Sequence, residues 1–342
     1  MSARRVTPEG VLVLPASAPR DEWLAARRYR DVVPGGFCIG SSDVPSILDL
    51  QDVDTPAHVY HEKVNFVTKE ATEAMTWGQV LEEPIAAEWC KRNRTVIRRI
   101  GLVSNIFEPW QQSTVDRRVV ECPLRTEGGC GLEVKNVGTF TYKTRWHKDV
   151  PDRILAQILH QLLVTGWHHI HYVVLVGGNQ MHQGVVYADR EVELVEWIRK
   201  EVNAFRANHL LTGVAPPWTA EDKVDRYLEL DAKLHAERVG EVAITAVDPV
   251  VEYATWAKRE TAAKNAKKRL KLELAKLADG KQVITIAGER AYSYEERSRT
   301  NVDLERLREK YPEAYADPEV VSETEFYQLS IDNRYRKMAE ED

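Results

Sequence analysis

Glu133 and Lys135 stand two residues apart in GCGLEVKNVG (129–138), with apolar Leu132 and Val134 interleaved. The run reads as a short β-strand, whose side chains alternate between faces. A carboxylate and an ammonium therefore share one face while the opposite face is apolar. An aspartate on an earlier strand or turn would complete a set suited to phosphodiester hydrolysis, and Asp116 in STVDRR (113–118) is the candidate. Hard carboxylates hold Mg²⁺, which prefers oxygen ligands and retains waters. Such an ion polarises a phosphate, lowers the pKa of a bound water and neutralises charge on the leaving oxygen. A neighbouring lysine positions the water and adds positive charge to the crowded phosphate. Taken alone, the D…ExK pattern is more often a strand-edge ion pair.

Two helical segments add polar groups. In WGQVLEEPIAAEW (77–89), Leu81, Ile85 and Trp89 recur at helical spacing, and Glu82 lies one position from that ridge. A half-buried carboxylate there must be paired or metal-bound. Glu83 is its exposed neighbour. In LAQILHQLLVTGW (155–167), Gln157 is a polar residue in a strongly apolar helix. Its amide needs partners, which either a core network or a place beside the active-site lysine or water would supply.

The elements that must carry these residues alternate between helical and strand patterns. Helices are expected over 73–92, 150–166 and 190–211, and Pro151 and Gly166 mark the ends of the second. Strands are expected at TVIRRIGLVSN (95–105), within WQQSTVDRRVVE (110–121), at GLEVKNV (131–137) and at HIHYVVLVGGN (169–179). The fold class is α/β (α+β), a mixed sheet flanked by helices. Residues 1–20 read as a flexible arm, 21–212 as the main domain and 213–218 as a Pro-rich linker. Residues 219–342 read as a helical extension with a β-hairpin near 282–294.

The chain has 342 residues, 43% hydrophobic and 29% charged, enough for one large domain plus an appendage or for two domains. No run of about twenty apolar residues predicts a membrane span, and the apolar patch near the N-terminus is too short and Pro-broken for a signal peptide. The four cysteines, Cys38, Cys90, Cys122 and Cys130, form no CxxC pair, which predicts a reduced compartment. That spacing argues against a zinc or iron–sulfur site, although Cys122 and Cys130 could be close in space. His169 and His171 share a strand face, and with no third ligand placed they read as a polar strand end. A net charge of −6 argues mildly against nucleic acid. The basic runs at 90–101 and 143–148, and the basic helix between Trp256 and Lys281, read alone as solvated faces or as local phosphate contacts. No GxxxxGK[ST] loop occurs, so any processive cleavage is expected to run without ATP.

The ordered series WGQVLEEPIAAEW, STVDRR, GLEVKN, LAQILHQLLVTGW and VVLVGGN resembles the YqaJ viral recombinase family. This is the phage lambda exonuclease-like branch of the PD-(D/E)XK nucleases. WLAARR (23–28), IGSSDVPSILDL (39–50) and TPAHVYHEK (55–63) look like that family's opening segments, so the resemblance spans about residues 21–210. It implies a Mg²⁺-dependent exonuclease, with Mn²⁺ as substitute, that degrades one strand of duplex DNA from its 5′ end. Asp116, Glu133 and the Val134 carbonyl would bind the metal, Lys135 would orient the water, and Glu82 would complete the acidic site, with a second metal as one option. Gln157 would support the lysine. Ser42 and Arg27, with Arg28 as the adjacent alternative, match a pocket for the terminal 5′-phosphate. Thr114 stands where the family often has Ser, and Lys143 or Arg145 would supply a remaining cation. The family's Pro-Asp-Gly turn is replaced here by Val115-Asp116-Arg117. The resemblance further implies double-stranded DNA ends as substrate and a phage single-strand annealing protein as partner. It also implies a trimeric ring and a place in the cytoplasm of a bacterial host. Two other readings stay open: a structure-selective or single-strand nuclease of the same superfamily, and a non-catalytic DNA-binding recombination scaffold.

Overall fold

The computed structural model describes residues 4–50, 54–67, 72–126, 129–146, 149–218, 224–235, 241–243, 245–293 and 304–317. The chain divides into two units, Met1–Ala236 and Glu237–Asp342.

In chain order the first unit runs β1 (Gly10–Leu14), α1 (Arg20–Arg28), β2 (Ile39–Gly40), α2 (Val44–Ile47), α3 (Pro56–Val64) and α4 (Glu73–Asn93). Four short strands follow: β3 (Ile97–Arg98), β4 (Leu102–Asn105), β5 (Gln111–Ser113) and β6 (Arg117–Val119). Then come β7 (Cys130–Val137), α5 (Thr139–Arg145), α6 (Asp152–Thr165), β8 (His169–Val176), β9 (Gln180–Tyr187), α7 (Val192–Phe205) and α8 (Val224–Leu234). The second unit contains a long helix, α9 (Asp248–Ala278), and a hairpin of β10 (Val283–Ile286) and β11 (Glu289–Ser293). The Tyr292 hydroxyl ties that hairpin to the Leu274 carbonyl of α9 at 2.9 Å. Short helices α10 (Leu304–Lys310) and α11 (Pro312–Ala316) follow.

Two mixed sheets form the first unit. One has the order β1-β4-β5-β2, the other β3-β6-β7-β8-β9. In the five-stranded sheet β7 and β8 are parallel, with Cys130 opposite His169 and Glu133 opposite Tyr172. Alternation along these strands splits the sheet into two faces. Cys130, Leu132 and Val134 of β7 and Val173 of β8 pack with Ile85, Ala86 and Trp89 of α4. Ile170, Val174 and Val176 of β8 pack with Ile154, Ile158 and Leu162 of α6 in the larger core. Glu133 and Lys135 therefore point toward α6. Helix α6 begins after Pro151 and ends at Gly166, whose φ of 66° is a left-handed C-terminal stop.

Several expectations change. Gly10–Leu14 is an edge strand paired antiparallel with β4, and the Glu9 N–H donates to the Thr165 carbonyl at 2.9 Å, so this stretch of the expected arm is part of the fold. The single strand expected at 95–105 breaks at Gly101, whose φ is +89°, and its halves join different sheets. A Cβ on Gly101 would lie 2.3 Å from the Leu14 carbonyl oxygen, so that close crossing requires glycine. The unit boundary falls after α8 and not near 212, because Tyr227 and Leu230 bury themselves with Ala57 of α3. The expected helices at 73–92 and 150–166 form over Glu73–Asn93 and Asp152–Thr165. Most of the polar tail lies outside the described residues.

Candidate active site

Strand β7 delivers Glu133 into the gap beneath α6, where it is 1% exposed. A buried carboxylate must be paired, and this one is held by three donors. Lys135 Nζ lies 2.5 Å from Oε1 and the Gln157 amide donates to the same oxygen at 2.7 Å. The Gln161 amide donates to Oε2 at 2.7 Å. Gln157 and Gln161 are one helical turn apart on α6, so a single helix face reads both carboxylate oxygens. Lys135 also donates to the Gln157 side-chain oxygen at 3.5 Å. Gln161 was not among the expected site residues; its i+4 spacing from Gln157 was the available signal.

Asp116 immediately precedes β6, which pairs with β7 at Arg117 opposite Leu132. Its Oδ2 accepts the Val134 backbone N–H at 2.7 Å. With Val115 and Arg117 on either side of it, Asp116 is anchored to the strand that carries Glu133. Val134 meets Asp116 through its N–H. Desolvation first, and then the Glu133 charge, push the Asp116 carboxyl well above the usual carboxylate range. Desolvation opposes the Lys135 ammonium, but the Glu133 and Asp116 carboxylates outweigh it and raise its pKa. Lys135 is therefore a firm cation.

Glu82 lines the same clefts as Asp116 and Gln157. Its carboxylate is paired with Arg117, whose other terminal nitrogen donates to Glu83 at 2.8 Å. Arg117 is 3% exposed at its side chain and Glu82 31%, so Glu82 is half-buried as expected, with a cation as its partner. Asp116, Glu133 and Glu82 line one cleft and offer the carboxylate oxygens that a hard divalent cation takes. Burial and the Glu133 charge both raise the Asp116 pKa, and a bound cation would oppose both effects.

A second polar cluster lies across the cleft. Arg27 Nη2 on α1 donates to Ser42 Oγ at 2.5 Å and lies 3.0 Å from Asp43 Oδ1. Lys63 Nζ of α3 lies 2.7 Å from Asp43 Oδ2, and the Gly40 N–H donates to that oxygen at 2.9 Å. Burial opposes ionisation of Asp43, but Lys63 and Arg27 hold its carboxyl well below the ordinary range. A Cβ on Gly40 would come 3.0 Å from Arg27 Nη2, so glycine leaves room for the guanidinium. The Arg27 guanidinium also stacks on the Trp23 ring, 4.7 Å from its centroid, and Trp23 Nε1 donates to Thr114 Oγ1 at 3.3 Å. Arg28 turns away onto the Phe66 ring, 4.4 Å from its centroid. The arrangement separates the two arginines that the sequence left as alternatives.

A cleft of about 490 Å³ runs from Trp23, Arg27 and Ser42 to Glu82, Asp116 and Gln157. An adjoining one of about 620 Å³ contains Glu133, Lys135 and Arg153, and shares Ser42, Glu82, Asp116 and Gln157 with the first. The two polar clusters therefore face common space. Lys143 and Arg145, exposed near the end of α5, line neither cleft. Arg153 at the start of α6 is the cation that the fold brings to the cleft instead. Lys148 lies outside the described residues.

On the opposite face of the five-stranded sheet, ligand atoms of Cys122, Cys130, His169 and His171 lie within 4.8 Å of one another. The two histidines are not merely a polar strand end. The parallel register sets Cys130 beside His169, and the loop after β6 brings Cys122 over them.

Residues 22–168 match the model of the YqaJ-like viral recombinase domain. No curated protein matches the chain. Among solved structures the chain is similar to an alkaline exonuclease from Laribacter hongkongensis, at 20% identity and a TM-score of 0.43, over 62% of this chain and 97% of that one. The same exonuclease in complex with dAMP matches at 19% identity and a TM-score of 0.45, over 63% of this chain and 99% of that one. No described helix is long and apolar enough to cross a membrane.

Proposed function

We propose, for a chain whose residues 22–168 form a YqaJ-like viral recombinase domain, that it is a divalent-metal-dependent exonuclease. It degrades one strand of duplex DNA from the 5′ end and leaves a 3′ single strand. The observation that carries this reading is the convergence of Asp116, Glu133, Lys135 and Gln157 on one cleft, whose neighbour shares Ser42, Asp116 and Gln157 and reaches Arg27.

Asp116 and Glu133 would hold the cation, with the Val134 carbonyl as a further oxygen donor and Glu82 nearby. Mg²⁺, or Mn²⁺ in its place, would supply phosphate polarisation and a water of lowered pKa when bound. Lys135, kept cationic by its two carboxylate neighbours, orients that water and offsets charge on the attacked phosphate. Gln157 fixes the lysine and Glu133 in one geometry, which limits the reorganisation needed during reaction. Arg27 and Ser42 offer a guanidinium fork and a hydroxyl for a terminal 5′-phosphate, with Thr114 adding a second hydroxyl on the same wall. Asp43 and Trp23 hold the Arg27 guanidinium in place from two sides.

The test is digestion of 3′-end-labelled duplexes carrying either a 5′-phosphate or a 5′-hydroxyl, in Mg²⁺, Mn²⁺ or chelator. Wild type should shorten the labelled strand from its 5′ end, with the 3′ label retained, only with metal and with preference for the phosphate end, and Lys135→Ala should be inactive. Absence of cleavage with either metal would establish the non-catalytic scaffold. Equal use of both ends would establish a structure-selective nuclease. The same reading carries a homotrimeric ring that retains DNA and a phage annealing protein that takes up the 3′ strand in the bacterial cytoplasm. Light scattering of the purified chain tests the ring.

A further inference from the structure

We propose that Cys122, Cys130, His169 and His171 bind one Zn²⁺, a site separate from the carboxylate cleft and independent of the nuclease reading. The four donor atoms come from three places in the sequence, the loop after β6, the first residue of β7 and the start of β8, yet all lie within 4.8 Å of one another.

The three spacings among Cys122, His169 and His171 match one face of a tetrahedron. His169 Nε2 and His171 Nε2 are 3.2 Å apart, and Cys122 Sγ lies 3.3 Å from the first and 3.6 Å from the second. Zinc bonds of about 2.0–2.1 Å to nitrogen and about 2.3 Å to sulfur give tetrahedral edges of roughly 3.3 Å between nitrogens and roughly 3.5 Å between nitrogen and sulfur. A single central cation would take all four donor atoms as ligands. His169 turns Nε2 inward while Nδ1 faces His168 Nδ1 at 3.0 Å, the outward contact that orients a metal-bound imidazole.

Thiolate and imidazole donors select zinc over the hard cations suited to Asp116 and Glu133. Cys130 and His169 are fully buried and His171 is 4% exposed, with the Trp89 ring 5.2 Å from its own. Cys122 is partly exposed, but four protein donors leave no position for substrate, so the ion is structural. It would fasten the segment after β6 to the first residues of β7 and β8. Asp116 and Glu133 lie immediately beyond the Arg117–Leu132 end of the β6–β7 pairing that this fastening secures.

The experiment is elemental analysis of the full-length chain purified without chelator, followed by Co²⁺ titration of the reduced, metal-stripped protein. The expected result is about one zinc per chain, and a tetrahedral Co²⁺ absorption with thiolate-to-metal charge transfer saturating near one equivalent. Cys130→Ser and His171→Ala should lose the zinc, whereas Asp116→Ala should keep it. Wild-type Co²⁺ spectra and a chelator-induced fall in Tm test the site without any variant. No zinc together with an octahedral Co²⁺ spectrum overturns the proposal. So does zinc retained in the Cys130→Ser, His171→Ala double variant, or a metal-free Cys122–Cys130 disulfide found by non-reducing peptide mapping.

Discussion

Gln161 donates its side-chain amide to Glu133 Oε2 at 2.7 Å, deep between α6 and β7. This bond holds the carboxylate oxygen that Lys135 does not touch. Gln161→Leu leaves that oxygen buried without its partner and should cost about 1–3 kcal/mol of stability. Urea unfolding read by tryptophan fluorescence checks the loss. Gln157→Leu, nearer the cleft, should lower turnover more than stability.

Lys135→Ala removes the cation between Glu133 and Gln157. Turnover on duplex DNA should fall by at least about 100-fold, as when one preorganised charge-stabilising donor is removed. DNA affinity, set mostly by phosphate contacts elsewhere, should change little. Single-turnover digestion together with anisotropy binding separates the two effects. Retained turnover would remove Lys135 from the mechanism.

Arg27→Ala should reduce discrimination between 5′-phosphate and 5′-hydroxyl ends by roughly 10–100-fold, the worth of a charge-assisted hydrogen bond of about 1.5–3 kcal/mol. Arg28→Ala should leave the discrimination intact, because Arg28 stacks on Phe66. Competition between the two end chemistries in one reaction measures the ratio directly.

His160 on α6 sits within 2.9 Å of Ser41 Oγ and is fully buried, which brings its pKa down to about 4 despite the opposing charge of Asp43. The unfolded chain takes up this proton near pH 6.5 and the folded chain does not, so the unfolded state binds more protons between those values. Stability from this group is full above about pH 6.5 and declines as pH falls toward 4, by roughly 3 kcal/mol in all. Thermal melts across that window should show a shallower decline in His160→Gln than in wild type.

Much of the site was legible because strand and helix periodicity are local properties. Alternation fixed the shared face of Glu133 and Lys135, and helical spacing put Glu82 beside the Ile85–Trp89 ridge. Residue order supplied Asp116 and Gln157. Tertiary structure decided which of two adjacent arginines enters the cleft, because Arg27 has Asp43, Ser42 and Trp23 as partners and Arg28 has Phe66. It paired Glu82 with Arg117, set Gln161 on Glu133 and left Lys143 and Arg145 away from the cleft. It also drew Gly10–Leu14 into a sheet edge, a pairing that depends on β4 far along the chain. Above all, the parallel register of β7 and β8 brought Cys130 beside His169, and the loop after β6 carried Cys122 to them. Sequence determines which groups a strand presents on each face. Contacts between segments distant in the chain depend on register and chain crossing, which only the assembled sheet defines.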